Sequence, residues 1–308
     1  MESISAIKAP HVGIAIFSMF SILWMLLATS SFTLMAFIIK LEAKHFSVPD
    51  ILFIRSASSI FFVLLIRSVL RFQLRTNVFG IHARRSLFGL VSMATWYYTL
   101  GVLPMGVSVT LNYLSPLFLG LILYLFESSS NKPSKKEIAY ILLGFFGVIV
   151  LLNPFGGSLR SSDVFPVVLG VCASLIAALA FKDVRVLKNS GQNEWQMVFY
   201  FSTMAAILSF PLTSLAQGHI SNDIQGYLLL MLAGVLGALG QFGVSKAFGS
   251  GDQIVAASLQ YMTVVFSLLL SWLALGEKVS LAQLSGIFVI VTAAVLNISA
   301  RGRRPSRT

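Results

Sequence analysis

Ten stretches of this 308-residue chain are apolar for long enough to cross a lipid bilayer, and little remains to fold as anything else. They fall at about 12–39, 48–70, 84–103, 105–126, 137–153, 164–187, 194–216, 224–248, 253–276 and 280–300, separated by Pro, Gly or charge clusters. A helix needs about 20 predominantly apolar residues to span the hydrocarbon core. Soluble domains carry about 25% charged residues; this chain carries 11%, with 56% hydrophobic residues and a mean hydropathy of +0.86. A water-soluble core cannot absorb that much apolar surface, which excludes a soluble enzyme. The expectation is an all-α membrane protein of ten transmembrane helices. The first run is too long for a signal-peptide core and no small-residue cleavage site follows it, so it reads as an uncleaved span.

Charge placement gives the topology. The chain has 22 Lys and Arg against 11 Asp and Glu, a net charge of +11. Taken alternately from the N-terminus, the extramembrane segments and span ends on one side hold seventeen of the basic residues, from Lys8 through the Arg67–Arg85 group to Arg307. The other side holds Lys40, Lys44, Arg160 and Lys278, and Arg55 lies within a span. Cytoplasmic loops are enriched in Lys and Arg, so both termini are expected in the cytoplasm of a bacterial inner-membrane protein. Anionic lipid of the inner leaflet is the partner such charges imply; no nucleic acid is needed to explain them. The single cysteine, Cys172, and the scattered histidines His11, His45, His82 and His219 offer no disulfide framework or metal-ligand spacing. No cofactor is expected.

The two halves resemble each other. Shifted by 148 residues, Val107-to-Leu125 overlays Val255-to-Leu273, pairing Val107/Val255, Leu111/Leu259, Tyr113/Tyr261, Phe118/Phe266, Leu121/Leu269 and Leu125/Leu273. Asn112 falls on Gln260, so a polar-aromatic pair recurs inside the fourth and ninth spans. Five spans per half is an odd number, so the second half must sit upside down relative to the first. Residues 1–153 and 154–308 are thus expected as two inverted five-helix repeats, a transporter architecture with its site near the midplane.

At these residues the sequence resembles the EamA branch of the drug/metabolite transporter superfamily. The carrying segments are FIRSASSIFF in the second span, LNYLSPLFLGLILYLFE in the fourth, LLGFFGVIVLLNP in the fifth and SKAFGSGDQIVAASLQYMTVVFSLLLSWLALGE across the eighth and ninth. The resemblance implies a ten-helix carrier of small organic solutes in the bacterial inner membrane. The last segment is also similar to members that take up S-adenosylmethionine, with two departures: Ser258 stands where relatives often have Pro, and Gln260 where a charged residue can occur.

Polar groups inside spans are costly and mark functional sites by default. Arg55 stands as the only ionisable side chain well within an apolar run; it could hold a substrate carboxylate, or snorkel outward or cap a neighbouring helix. Asn112-Tyr113 and Gln260-Tyr261 could hydrogen-bond and stack on a solute facing the axis between the halves, or bind helices together. Pro116 frees the carbonyl of Asn112, so a kink should bare backbone polarity to the cavity. Trp96, in the run Trp96-Tyr97-Tyr98, could face the centre or an interfacial belt; Trp24 and Gln241 complete the substrate-binding candidates. Gly234, Gly237, Gly240 and Gly243 form a packing stripe on the eighth span. Glu127, Glu137, Asp163, Asp183, Glu194, Asp223, Asp252 and Glu277 sit at span ends or in loops, so no mid-span carboxylate is available to relay protons.

The expected function is a secondary transporter moving a small polar organic metabolite by alternating access, as uniporter or exchanger. Amino acids, amines and nucleoside-like compounds such as S-adenosylmethionine fit the interior. A channel and a proton-coupled efflux pump are the alternatives; no Ser-Lys, H-E-x-x-H or paired-carboxylate constellation supports an enzyme. Direction and oligomeric state are not encoded in these features.

Overall fold

Helix boundaries in the computed structural model follow the expected spans, and the fourth and ninth spans are each broken in two. The structure describes residues 10–103, 105–127, 132–153, 161–214, 223–276 and 279–302. Among them are twelve α-helices: α1 (Pro10–Glu42), α2 (Val48–Leu70), α3 (Phe79–Val102), α4 (Met105–Asn112), α5 (Ser115–Phe126), α6 (Lys135–Leu152), α7 (Val164–Asn189), α8 (Glu194–Ser209), α9 (Ile224–Gly249), α10 (Gln253–Leu259), α11 (Met262–Leu275) and α12 (Leu281–Gly302). Counting α4–α5 and α10–α11 each as one interrupted rod gives ten rods. Lys8, Arg160, Glu277, Lys278, Arg303, Arg304, Arg307 and the end of the seventh span (215–216) lie outside the described residues.

Sequence chemistry sets the helix ends. Ser134 and Glu137 form a reciprocal capping box at the start of α6, and Asn193 and Gln196 form another at α8. Such boxes satisfy two of the amide groups that every helix start leaves unpaired. Asp223 and Asp252 cap α9 and α10 through their carboxylates. At the far ends, Arg71 (φ 51°), Asn153 (φ 42°) and Gly276 (φ 65°) turn the chain out through the left-handed region.

Eight of the rods are long and apolar enough to cross a membrane by length and composition. The other two are α3, which carries His82, Arg84 and Arg85 in its first two turns, and α6, which opens on Lys135, Lys136 and Glu137. Large apolar side chains cover the outside: Phe61, Phe126, Phe146, Phe165, Ile207, Leu228, Leu273 and Phe288 are all exposed. A soluble protein does not expose such a surface; hydrocarbon is its natural solvent. The protein is a multi-pass membrane protein.

Five helix pairs are the main contacts that hold the bundle: α2 and α9 run parallel, and the other four run antiparallel. On α1 and α9, Gly226 meets Glu42, Gly240 meets Phe32 and Gly243 meets Trp24. On α3 and α7, Arg84 reaches Asp183 while Trp96 and Thr99 lie by Gly170 and Ala173. On α2 and α8, Phe53 meets Phe210 and Phe62 meets Trp195. On α6 and α12, Gly144 lies by Ala293 and Gly147 against Gly286 and Ile290. The glycine stripe of α9 is a packing face. A Cβ on Gly234 would run into the Arg55 carbonyl, and one on Gly243 would stand 2.7 Å from that of Trp24. Ser59 donates to the Gly234 carbonyl at 2.6 Å and Ser58 to that of Met231 at 2.7 Å, so hydroxyls of α2 clip onto the α9 backbone.

Candidate functional site

The two breaks fall on the polar-aromatic pairs. α4 ends at Asn112 and the chain turns at Tyr113-Leu114; α10 ends at Leu259 and the chain turns at Gln260-Tyr261. Pro116 cannot donate to the Asn112 carbonyl. That carbonyl is not bared to a cavity, as the sequence had implied, because the Ser115 hydroxyl donates to it at 3.0 Å. At the equivalent place the Thr263 hydroxyl donates to the Gln260 carbonyl at 2.9 Å. Asn112 and Gln260, and likewise Ser115 and Thr263, are each 148 residues apart, so both turns are closed by the same hydroxyl device.

The breaks bring the tyrosines together. Tyr113 and Tyr261 are buried, with ring centroids 6.2 Å apart at 58°. The Tyr261 ring lies over Gly144, where a Cβ would stand 2.8 Å from it, and beside Ala293. Only glycine on α6 allows that approach. The Tyr261 hydroxyl and the Gln260 side-chain oxygen are buried without hydrogen-bond partners. Unpaired polar groups in a dry interior are costly.

Asn112 and Trp96 also meet, lining with Thr99, Ser108, Gly170 and Ala173 a crevice too narrow to hold water. The Trp96 indole nitrogen is buried and unpaired there. Thr99 and Ser108 close its wall through a hydroxyl–hydroxyl bond of 2.7 Å. Trp24 stands elsewhere, edge-on to Phe242 with centroids 5.3 Å apart, and Phe242 in turn stacks on Trp195. Its neighbours are aromatic, which favours a packing role.

Arg55 is buried and does not snorkel. Its Nη1 lies 3.1 Å from the Met35 sulfur and its Nη2 3.5 Å from that of Met93, while Nε has no partner. Thioethers are weak acceptors. Gln241 is not free: its oxygen accepts from Arg85 Nη2 at 2.7 Å. Arg85 is therefore a second buried guanidinium, which corrects the expectation that Arg55 stands alone. Arg84-Arg85 had read as a topological charge pair. The missed clue was spacing, because Arg85, Gly89 and Met93 share one face of α3 at four-residue intervals.

Ion pairs gather at one end of the bundle, at the starts of α3, α6, α8 and α10 and the ends of α7, α9 and α12. Arg84 grips Asp183 through two bonds of 2.8 and 2.6 Å. Glu194 takes Lys188 at 2.6 Å and Lys246 at 3.2 Å. Arg301 reaches Asp252 at 2.5 Å and Glu137 at 3.5 Å. Arg185 donates to the carbonyls of Phe248 and Gly251. Several of these carboxylates are span-end residues that are nonetheless buried, Glu137 completely. Among the described residues no cluster of His, Cys, Asp or Glu could hold a metal ion.

A multi-pass helical bundle whose fourth and ninth rods are broken at matching places, with unpaired polar groups at the second break, is the architecture to which comparisons with known proteins give a class: a transporter of small molecules. Residues 19–153 and 164–299 each match the model of the EamA-like transporter family, and the chain belongs to that family. The pseudopaline exporter CntI of Pseudomonas aeruginosa strain UCBPP-PA14 is 24% identical over 274 residues, 89% of this chain and 94% of the relative. The riboflavin transporter of Vibrio cholerae is 26% identical over 261 residues, 82% and 84% of the two chains. A solved crystal structure shares the fold at a TM-score of 0.73 and 18% identity, covering 91% of this chain and 96% of its own. Family and relatives point to transport and away from catalysis.

Proposed function

We propose that this protein is an inner-membrane carrier that moves a small polar organic metabolite by alternating access, as a uniporter or exchanger. All ten rods are read as membrane-spanning, with both termini cytoplasmic and residues 1–153 and 154–308 as inverted repeats. The carrying observation is the matched pair of breaks at Asn112–Leu114 and Gln260–Tyr261, whose tyrosines meet between the halves. Helix packing supports the inversion. Replacing each rod by its counterpart five along turns the α1–α9 pair into α7–α3 and returns α2–α8 and α6–α12 to themselves. Broken helices meeting at the midplane between inverted repeats are the setting in which carriers bind solutes. The ion pairs between halves, Arg84–Asp183 and Arg301–Glu137, act as the closed gate on the positively charged, cytoplasmic side.

The solute classes drawn from the sequence were amino acids, amines and nucleoside-like compounds, and relatives are named for pseudopaline and riboflavin. An interior holding buried arginine without a mid-span acid ranks solutes bearing a carboxylate above amines. Counterflow in proteoliposomes tests the mechanism: internal solute must accelerate entry of the labelled solute. Uptake with no trans-acceleration identifies a channel. Accumulation driven by a pH gradient and abolished by a protonophore identifies a proton-coupled pump.

A further inference from the structure

We infer that the transported solute bears two acidic groups, one held by Arg55 and the other by Arg85, on either side of the Gly237–Gln241 turn of α9. The inference rests on the carrier reading above and narrows its solute. Each guanidinium is buried, and each has an unpaired nitrogen: Nε of Arg55 and Nη1 of Arg85. Around Arg55 stand two methionine sulfurs, and among the described residues no carboxylate forms an ion pair with it. Around Arg85 stand the Gln241 amide and the Phe201 ring, 5.0 Å from the guanidinium carbon. Asp183 is the acid whose charge reaches Arg85, but both its oxygens are engaged by Arg84. A buried cation with no acid of its own, as Arg55 is, or with an acid shared with another arginine, as Arg85 is, is destabilising until an anion arrives.

The two charges are close enough to share one molecule. Arg55 Nη1 lies 3.7 Å from where a Cβ on Gly237 would stand, and Gln241, which holds Arg85, is one turn further along α9. On α3, Met93 and Arg85 are two turns apart on one face with Gly89 between them, the Phe201 ring lying 2.9 Å from where its Cβ would stand. The guanidiniums are thus separated by one to two helical turns, about 6–12 Å. Methionine side chains are flexible enough to withdraw from Arg55 when a better acceptor enters. A neutral or cationic solute would leave both arginines unmatched, and a monoacid would leave one. A diacid whose carboxylates are several bonds apart matches both, each through the bidentate geometry that guanidinium favours.

The test uses the purified full-length chain with succinate, adipate and suberate against butyrate and putrescine at equal ionic strength. Thermal stabilisation in micelles and counterflow in proteoliposomes are both read. At least one dicarboxylate should stabilise the protein and drive counterflow, with butyrate at least ~10-fold weaker and putrescine inert. Arg85→Gln should remove that ~10-fold preference, leaving dicarboxylate and butyrate equivalent. Arg85→Lys, which keeps the charge, should retain part of it if Arg85→Gln folds poorly. Equal or better stabilisation by butyrate or putrescine, none by any dicarboxylate, or an unchanged preference in Arg85→Gln overturns the inference. Stabilisation by a dicarboxylate without trans-acceleration of any solute would instead uphold the diacid site and overturn the carrier reading.

Discussion

The crossing of α6 and α12 makes a prediction whose sign runs against ordinary helix chemistry. Replacing glycine by alanine within a helix gains about 1 kcal/mol of intrinsic propensity. At Gly147 the added methyl would lie 2.8 Å from the Ile290 side chain and 3.0 Å from both the Gly286 carbonyl oxygen and the Ile290 amide nitrogen. Two of those three neighbours are backbone and cannot rotate away, so the helices must separate. Overpacking of this kind costs about 1–3 kcal/mol, and immovable neighbours put the cost at the upper end. Gly147→Ala should therefore lose about 2 kcal/mol net, the ~3 of overlap less the ~1 of propensity. Gly80→Ala in α3 is the control, since nothing lies within 4 Å of its Cβ position; it should be neutral or stabilising by up to ~1 kcal/mol. Both variants are compared by reversible unfolding in mixed micelles. Equal stability changes for the two would show that the α6–α12 contact is looser than described and that the reasoning is wrong.

Four further outcomes follow from the geometry. Tyr261→Phe removes a hydroxyl that has no protein partner, so melting should shift little while transport affinity falls; unchanged transport would dismiss the hydroxyl as a solute ligand. Arg55→Gln removes a buried charge with no acidic neighbour and should be at least as stable as wild type yet transport poorly; a variant that unfolds would assign Arg55 to the fold. Arg71→Gly relieves a left-handed conformation costing about 1–2 kcal/mol in a residue with a Cβ, and should raise stability by ~1 kcal/mol in denaturant titration. Glu137→Gln keeps the capping hydrogen bonds in part but weakens the hold on Arg301. A cysteine introduced beside it should then label faster from the side that bears the ion pairs; protection equal to wild type would argue against a gate.

The rods and the packing face of α9 were legible because bilayer length and glycine spacing act locally along the chain; which rods pair was not. So was the meeting of the tyrosines, since Asn112-Tyr113 and Gln260-Tyr261 recur at one fixed offset. The break beside Pro116 announces itself, whereas the one at Gln260-Tyr261 has no proline and depends on which carbonyl the Thr263 hydroxyl takes. Arg85 escaped because charge near a span end looks topological in one dimension. Only the approach of α9 and α8, through Gln241 and Phe201, makes that position interior. The burial of Glu137 and Glu194 was hidden for the same reason: their ion partners lie far away in sequence.

The hydroxyl that closes each break has unequal backing. In the first half, Pro116 lacks the amide that could ever re-form a continuous helix across Asn112. In the second half, Val264 at the corresponding position retains its amide, which already bonds to Tyr261. The Thr263 amide also donates to the Gln260 carbonyl at 3.2 Å; if hydroxyl and amide both release it, the Val264 amide can take it and the rod can straighten. One half is thus a permanent elbow and the other a latch. In the proposed alternating-access carrier, two hinges that differ in this way would not share the time equally between the two openings.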